Sequence, residues 1–169
     1  MTDHQYKILV VDDEPDIREA VIKYLQKRYP AKFLEASDGK IAVGLTRMEK
    51  PDVILLDIRM PVMSGWDVIR EVRKDNQDVR IIVITGRGDF TVEEETLVVK
   101  MVDCFLIKPI CPTEIHDAII KVLGPDFVKT GLDFDQIVPG KGRPAGRELV
   151  HAINNAHAQV VTKCETFVR

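Results

Sequence analysis

The stretch from Val53 to Gly65, V-I-L-L-D-I-R-M-P-V-M-S-G, decides the fold. Its first four residues are apolar without interruption, which is typical of a strand buried on both faces of a parallel sheet covered by helices. Asp57 follows where that strand ends, and ligands of open α/β sheets bind at the carboxyl ends of the strands. Pro61 and Gly65 then mark a loop before the next helix. The stretch therefore predicts a central strand that presents the Asp57 carboxylate at its end.

Short apolar segments and helical periodicity alternate along the rest of the chain. The other predicted strands are Lys7 to Val11, Phe33 to Ala36, Arg80 to Ile84 and Cys104 to Ile107. Helix-spaced apolar residues follow each strand and begin near Pro15, Gly39, Trp66, Glu93 and Thr113. Such alternation implies a parallel sheet with right-handed crossovers and helices on both faces. The predicted class is α/β, with a doubly wound five-stranded parallel sheet and a C-terminal helical extension.

Composition limits the function classes. The chain has 169 residues, of which 45% are apolar and 30% charged, with a net charge of -3. This length suits one domain of about 120 to 150 residues plus an extension. No global charge favours nucleic acid or a membrane surface. The longest apolar runs are too short to span a bilayer, and the polar start Met1 to Gln5 is no signal peptide, so we expect a cytoplasmic protein. The spacing of Cys104, Cys111 and Cys164 indicates neither a disulfide framework nor a zinc site.

Acidic residues follow the first predicted strand. Asp12, Asp13 and Glu14 stand in the turn before Pro15. Acids at the start of a helix are favoured by the helix dipole, which explains one or two of them. The alternative is a cation site that Asp13 shares with Asp57, because Mg²⁺ takes oxygen ligands, usually from one or two carboxylates.

Two further strand ends carry polar residues, Thr85 and Lys108. Taken alone, a threonine here is an ordinary strand former, and a lysine is a surface group whose stem lies along apolar surface. In the same crevice as Asp57 they would instead supply a hydroxyl and a fixed cation beside a phosphate. Pro109 favours an extended conformation for Lys108.

Four separated motifs occur in order along the chain: V-V-D-D-E-P at 10–15, L-L-D-I-R-M-P-V-M-S-G at 55–65, V-I-T-G at 83–86 and F-L-I-K-P at 105–109. With these motifs the segment from Met1 to about Leu123 resembles the receiver domain of two-component response regulators, which has a flavodoxin-like (βα)5 fold. The resemblance implies phosphorelay signal transduction by a phosphoprotein. Its phosphoryl group would come from a phosphohistidine on a sensor histidine kinase or a phosphotransfer protein.

The resemblance also assigns roles to the charged residues. Asp57 matches the phosphoacceptor that becomes an aspartyl phosphate, and Lys108 matches the lysine that contacts phosphate. Magnesium would be held by the carboxylates of Asp12, Asp13 and Asp57 and by the backbone carbonyl of Arg59. Transfer of this kind depends chiefly on positioning and charge neutralisation. The implied protein is not an enzyme acting on other substrates, but a switch that catalyses its own phosphorylation and dephosphorylation.

Two positions match the switching residues of the family. Thr85 corresponds to the switch hydroxyl and Phe105 to the rotating aromatic residue. Phosphorylation is therefore expected to change the face formed by the helix at Glu93 to Met101, the fifth strand and the last helix. Arg59, two residues beyond Asp57, and Arg87, two beyond Thr85, flank the site where attacking water would approach, and we expect these long cations to alter how long the phosphoryl group survives.

The composition of the chain changes after the last predicted helix of the receiver domain. Residues 1–124 are predicted as the receiver domain, 125–146 as a Gly/Pro-containing linker and 147–169 as an amphipathic helical extension. Apolar residues form one face of that helix: Leu149, Ile153, Ala156 and Val160. The 4-3 spacing suits a helix–helix seam, so we expect a homodimer through this helix. The extension is too short for an ordinary winged-helix domain, so no nucleic-acid partner is expected.

A second resemblance lies in the extension. The stretch L-V-H-A-I-N-N-A at 149–156 resembles the phosphoacceptor box of histidine kinases, with His151 at the phosphoacceptor position. Ala152 stands where that box has its activating acid, so an amphipathic helix with idle histidines is the favoured interpretation. Two alternatives to a self-standing regulator remain: the N-terminal receiver fragment of a hybrid histidine kinase, and that of a DNA-binding transcriptional regulator whose output domain is absent.

Overall fold

A computed structural model describes residues 5–86, 101–124 and 127 of the protein. Strands and helices alternate in it: β1 Lys7–Val11, α1 Pro15–Gln26, β2 Lys32–Ala36, α2 Gly39–Glu49, β3 Val53–Asp57, α3 Gly65–Asp75, β4 Arg80–Thr85, β5 Cys104–Ile107 and α4 Pro112–Leu123. Every predicted strand is present, with ends that agree to within one residue. Local apolar runs therefore predict these strands well, because β1, β3 and β4 are almost wholly buried in the sheet.

The strands form one parallel sheet in the order β2-β1-β3-β4-β5. Strand β3 lies in the middle and all five of its residues are buried. The predicted doubly wound α/β sheet is confirmed. Because all strands run the same way, their carboxyl ends lie at one edge, where Val11 precedes the acidic turn and Asp57 ends β3.

Alternate residues of each strand pack into two apolar clusters, one on each face of the sheet. One face carries Leu9, Ile54 and Leu56 under helices α2 and α3. The opposite face carries Val10 and Leu55 under helices α1 and α4. Burial of one such aliphatic side chain is worth about 1.5 to 3 kcal/mol, so the two clusters stabilise the sheet from both sides.

The start of α3 is fixed by close backbone contact. Ser64 caps the helix by accepting a hydrogen bond from the Asp67 N–H at 3.3 Å. A Cβ atom on Gly65 would lie 2.5 Å from the Asp57 carbonyl oxygen and 2.8 Å from the Ile58 Cα atom. Only glycine permits this approach, so α3 begins directly against the backbone of the strand that carries Asp57.

Several predictions lie outside the described residues. One is the helix at Glu93 to Met101, of which only Met101, in a turn, is described. Another is the effect of Arg87, which is not described. The linker 125–146 is described only at Phe127, and the extension 147–169, with His151, is not described. The predicted domain boundaries therefore stay predictions. Among the described helices, none is long and apolar enough to cross a membrane.

Candidate functional site

Neighbouring strands bring three acidic side chains together. Asp12 directly follows β1, and Asp57 is the last residue of β3, which pairs with β1. One carboxylate oxygen from each of Asp12, Asp13 and Asp57 lies within 4.8 Å of the others. Asp12 and Asp57 are each only 4% exposed. The structure thus unites the three acids that the sequence singled out.

Lys108 reaches this acidic cluster from the edge of the sheet. Its Nζ atom lies 2.6 Å from Asp57 Oδ2 and 3.6 Å from Asp12 Oδ2. Its backbone N–H donates to the Thr85 carbonyl oxygen at 2.7 Å, which extends the pairing of β5 with β4 by one residue. The peptide bond between Lys108 and Pro109 is cis. The lysine therefore lies across the end of β4 and contacts the acids on β1 and β3.

The pKa values of the cluster follow from burial and charge. Burial raises the pKa of Asp12 above its usual range, while the Glu14 N–H and the Lys108 ammonium oppose that rise. For Lys108, burial lowers the pKa, but the hydrogen bond and charge of Asp57, followed by the charge of Asp12, outweigh it and raise the pKa. Three carboxylates with one ammonium leave an excess of negative charge, which favours a bound cation.

Backbone groups hold the acids in place. The Arg59 N–H donates to Asp57 Oδ1 at 3.2 Å, and the Glu14 N–H donates to Asp12 Oδ1 at 2.8 Å. The Gly65 N–H donates to the Ile58 carbonyl oxygen at 2.9 Å, which ties the loop after Asp57 to the start of α3. Sequence reasoning did not find the tight contact at Gly65. The signal for this contact in the sequence is a glycine at the start of a helix, which by itself indicates only a loop.

The two predicted switching residues lie on neighbouring strands, Thr85 at the end of β4 and Phe105 within β5 opposite Val83. Thr85, the last residue of β4, is fully buried, and its hydroxyl donates to the Gly86 carbonyl oxygen at 3.3 Å. Phe105 on β5 is half-buried and packs against the cluster under α2 and α3. Phe105 is thus partly outside the core, in the state that the structure describes.

The donor set fits a divalent cation. Asp12, Asp13 and Asp57 offer only carboxylate oxygens, and hard cations such as Mg²⁺ prefer oxygen ligands. The excess negative charge would be neutralised by such an ion. Thiols and imidazoles, which favour zinc, do not occur in this three-residue cluster.

Fold and site together define a parallel α/β protein with a lysine-bound acidic pocket at the strand ends. A family model described as "Response regulator receiver domain" matches residues 8–120, and the chain belongs to this family. The resemblance predicted from the motifs is confirmed: the chain carries the receiver domain of two-component response regulators. Receiver domains of this family generally bind Mg²⁺ at an acidic pocket and work with histidine kinases or phosphotransfer proteins.

Known proteins resemble the chain over its receiver portion. It is 38% identical over 117 residues to the "Probable transcriptional regulator ycf27" of Guillardia theta, covering 69% of this chain but 45% of that relative. It is 31% identical to "Sporulation initiation phosphotransferase F" of Bacillus subtilis, covering 69% of this chain and 93% of that protein. The chain thus spans about half the length of its ycf27 relatives and nearly all of the second protein.

A solved structure of a receiver protein is also similar to the chain. The crystal structure of a response regulator receiver protein from Pseudomonas putida is 31% identical, with a TM-score of 0.64. The match covers 71% of this chain and 99% of that one.

Proposed function

We propose that Asp57 accepts a phosphoryl group from a phosphohistidine of a sensor histidine kinase or a phosphotransfer protein. The supporting observation is the Lys108 ammonium 2.6 Å from the buried Asp57 carboxylate, beside two further acids. A carboxylate oxygen of Asp57 attacks phosphorus and forms the O–P bond as the N–P bond breaks. The imidazole nitrogen keeps the electron pair of that bond.

Magnesium would be held by Asp12, Asp13 and Asp57 and by the backbone carbonyl of Arg59. When bound, this ion supplies charge neutralisation for the acceptor and phosphoryl oxygens. The residues of the chain orient the reaction: the Arg59 N–H holds one oxygen of Asp57, and the Lys108 ammonium stabilises negative charge on the other side. These two contacts hold the Asp57 carboxylate in position as the acceptor. The protein thereby catalyses its own phosphorylation and dephosphorylation.

Switching follows from a change of hydrogen-bond partner. The Thr85 hydroxyl leaves the Gly86 carbonyl and donates to the phosphoryl group, which moves the end of β4. Phe105, half-buried on the neighbouring strand β5, then turns inward. The side chain of Phe105 thus has two packing positions. Its change of position carries the effect of the new phosphoryl charge to the surface formed by β5 and the last helix.

The partners and the cellular location of the protein belong to the same proposal. We propose a homodimer through the helix predicted at 147–169 and no nucleic-acid partner. A second candidate is the receiver part of a transcriptional regulator, because the ycf27 relatives carry that printed name and are about twice as long as the matched region. Sequencing the surrounding reading frame separates the two. A cytoplasmic location is also proposed, and cell fractionation tests it.

Labelling tests the central claim. Incubation with Mg²⁺ and acetyl phosphate should add one base-labile phosphoryl group per chain, detected by intact-protein mass spectrometry. Asp57→Asn should abolish the label, whereas Asp75→Asn, at the exposed end of α3, should be labelled like the wild type. Equal labelling of the Asp57 variant would overturn the assignment.

A further inference from the structure

We infer that Arg73 and Asp103 form a positioning pair that sets the register of β5 on β4 and so holds Lys108 at Asp57. The pair lies at the end of the sheet opposite the acidic cluster. The role given to Lys108 rests on the proposed function, whereas the effect on β5 does not.

Arg73 connects three segments from within the protein. It is only 9% exposed, although it lies on α3. Its Nε donates to the Met101 carbonyl oxygen at 2.8 Å, and its Nη1 donates to the Val79 carbonyl oxygen at 2.7 Å. The Nη2 atom lies 3.4 Å from Asp103 Oδ2. One guanidinium therefore joins the end of α3 to the residues that precede β4 and β5.

Asp103 links Arg73 to strand β4 of the sheet. Its backbone N–H donates to the Ile81 carbonyl oxygen at 2.9 Å, and its Oδ2 accepts the Ile81 N–H at 2.9 Å. The other oxygen, Oδ1, accepts a hydrogen bond from Arg80 Nη1 at 3.0 Å. Backbone and side chain of Asp103 thus both bind Ile81, which defines where the pairing of the two strands begins.

The register decides where Lys108 lies. Strand β5 has four residues and is an edge strand of the sheet formed by the described residues. Its pairing aligns Ile107 with Thr85, and the next residue is Lys108. A slip of one residue would turn every side chain of a strand to the opposite face. A short edge strand with one neighbour has few backbone bonds to resist that slip, so side-chain contacts at its start matter.

Arginine suits this position better than lysine. Its planar fork carries five N–H donors, which match several carbonyl oxygens and a carboxylate at once. Burial lowers the pKa of Arg73, and the Asp103 carboxylate opposes that effect. The group stays charged because arginine is not deprotonated in proteins. Lysine would keep the charge, but its three donors share one nitrogen, whereas Arg73 reaches Met101, Val79 and Asp103 through three separate nitrogens.

The test compares four variants. Arg73→Lys and Arg73→Met remove the fork. Arg80→Met removes a cation from the same Asp103, but its side chain is 51% exposed and binds Oδ1 only. Val43→Ala removes buried volume from the core under α2 and leaves every hydrogen bond of Arg73 and Asp103 in place. It therefore controls for general loss of stability.

Two readouts are measured well below the melting temperature: the initial rate of Asp57 labelling with acetyl phosphate, and hydrogen exchange of the Lys108 amide. Both Arg73 variants should be labelled about 10- to 100-fold more slowly, as expected for a misplaced reacting group. Their Lys108 amide should exchange faster because its bond to the Thr85 carbonyl is weakened. Arg80→Met and Val43→Ala should match the wild type in both readouts.

Wild-type labelling and unchanged Lys108 exchange in Arg73→Lys would overturn the inference, and so would equal slowing by Val43→Ala. Where Arg73→Met does not fold, Arg73→Lys and Asp103→Ala, which lacks the acceptor for Ile81, decide the matter. An unlabelled wild type would contradict the proposed function alone, because Lys108 exchange still tests the register.

Discussion

Lys108 Nζ lies 2.6 Å from Asp57 Oδ2, although the two residues are 51 positions apart and their strands are separated by β4. The contact exists because β3, β4 and β5 end at the same edge of a parallel sheet. It neutralises one of three clustered carboxylates and leaves the others to a cation. The arrangement brings the proposed acceptor, the proposed metal ligands and the lysine together before any phosphoryl group arrives.

Asp13→Ala should lose Mg²⁺ affinity and Mg²⁺-dependent labelling. Loss of an outer-shell partner already costs about 10- to 100-fold in metal affinity, and loss of a direct ligand should cost at least as much. Calorimetric titration with Mg²⁺ measures the change. Asp16→Ala, which removes an exposed acid of α1, serves as the control. Unchanged affinity in Asp13→Ala would mean that the metal binds elsewhere.

Lys108→Ala should separate labelling from switching. The three acids Asp12, Asp13 and Asp57 remain, so the variant is still labelled in the presence of Mg²⁺, although more slowly than the wild type. The phosphoryl group then lacks its ammonium contact, and the face around β5 should not change. Comparison of amide NMR spectra before and after phosphorylation tests this. The expectation is wrong if the spectral changes in β5 match those of the wild type.

Gly65→Ala and Gly44→Ala should have opposite effects on stability. At Gly65 a Cβ atom would lie 2.5 Å from the Asp57 carbonyl oxygen, so we expect a loss of about 1 to 3 kcal/mol and slower labelling. At Gly44, inside α2, a Cβ atom meets nothing within 4 Å, so the alanine should add up to about 1 kcal/mol. Urea unfolding measures both changes. Equal effects of the two substitutions would contradict the contact at Gly65.

Phe127 should contribute to the stability of the receiver domain although it lies beyond the last helix. It is 1% exposed, and its ring contacts Tyr29 at 4.6 Å and Tyr6 at 4.7 Å between centroids. Phe127→Ala should cost about 3 kcal/mol in urea unfolding, and Phe127→Leu should cost less. A chain that ends at residue 124 should therefore fold but melt lower than one that ends at residue 130. Equal melting temperatures would contradict this role.

His116 should make stability fall on mild acidification. It is buried on α4, stacks on Tyr29 at 5.5 Å between centroids and shares a hydrogen bond with its hydroxyl. Burial lowers the pKa of His116 from its ordinary value of 6.5. The unfolded chain therefore binds a proton first, and the free energy of unfolding falls as pH decreases below about 6.5.

Urea unfolding between about pH 7 and pH 5 measures this dependence. His116→Gln keeps a polar partner for Tyr29 but does not titrate, so its pH dependence should be flatter in that window. The same slope in both proteins would mean that His116 is not responsible.

The predicted helix at 147–169 should mediate dimerisation. An isolated helix of this length is marginal in water unless its apolar face packs. Sedimentation should therefore give a dimer for the full chain and a monomer for a chain that ends at residue 130, which keeps Phe127. A monomeric full chain at high micromolar concentration, or a dimeric truncation, would contradict the prediction.

The five strands, the described helices and the acidic residues could be predicted from the sequence, because each depends on a local pattern. Apolar runs such as Val53 to Leu56 lie in a buried strand wherever that strand sits in the sheet. The polar residues after those runs lie at the carboxyl ends of the strands, so Asp57, Thr85 and Lys108 were found as well. The four motifs then identified the family.

Tertiary structure alone decided the contacts between distant segments. Periodicity does not reveal that β1 lies between β2 and β3, that Gly65 touches the Asp57 backbone, or that Arg73 binds the residues before β5. The hydrogen bond between Tyr29 and His116 joins the segment after α1 to α4, across 87 positions of the sequence. Such contacts depend on which surfaces meet after packing, and that is a property of the whole chain rather than of any window of sequence.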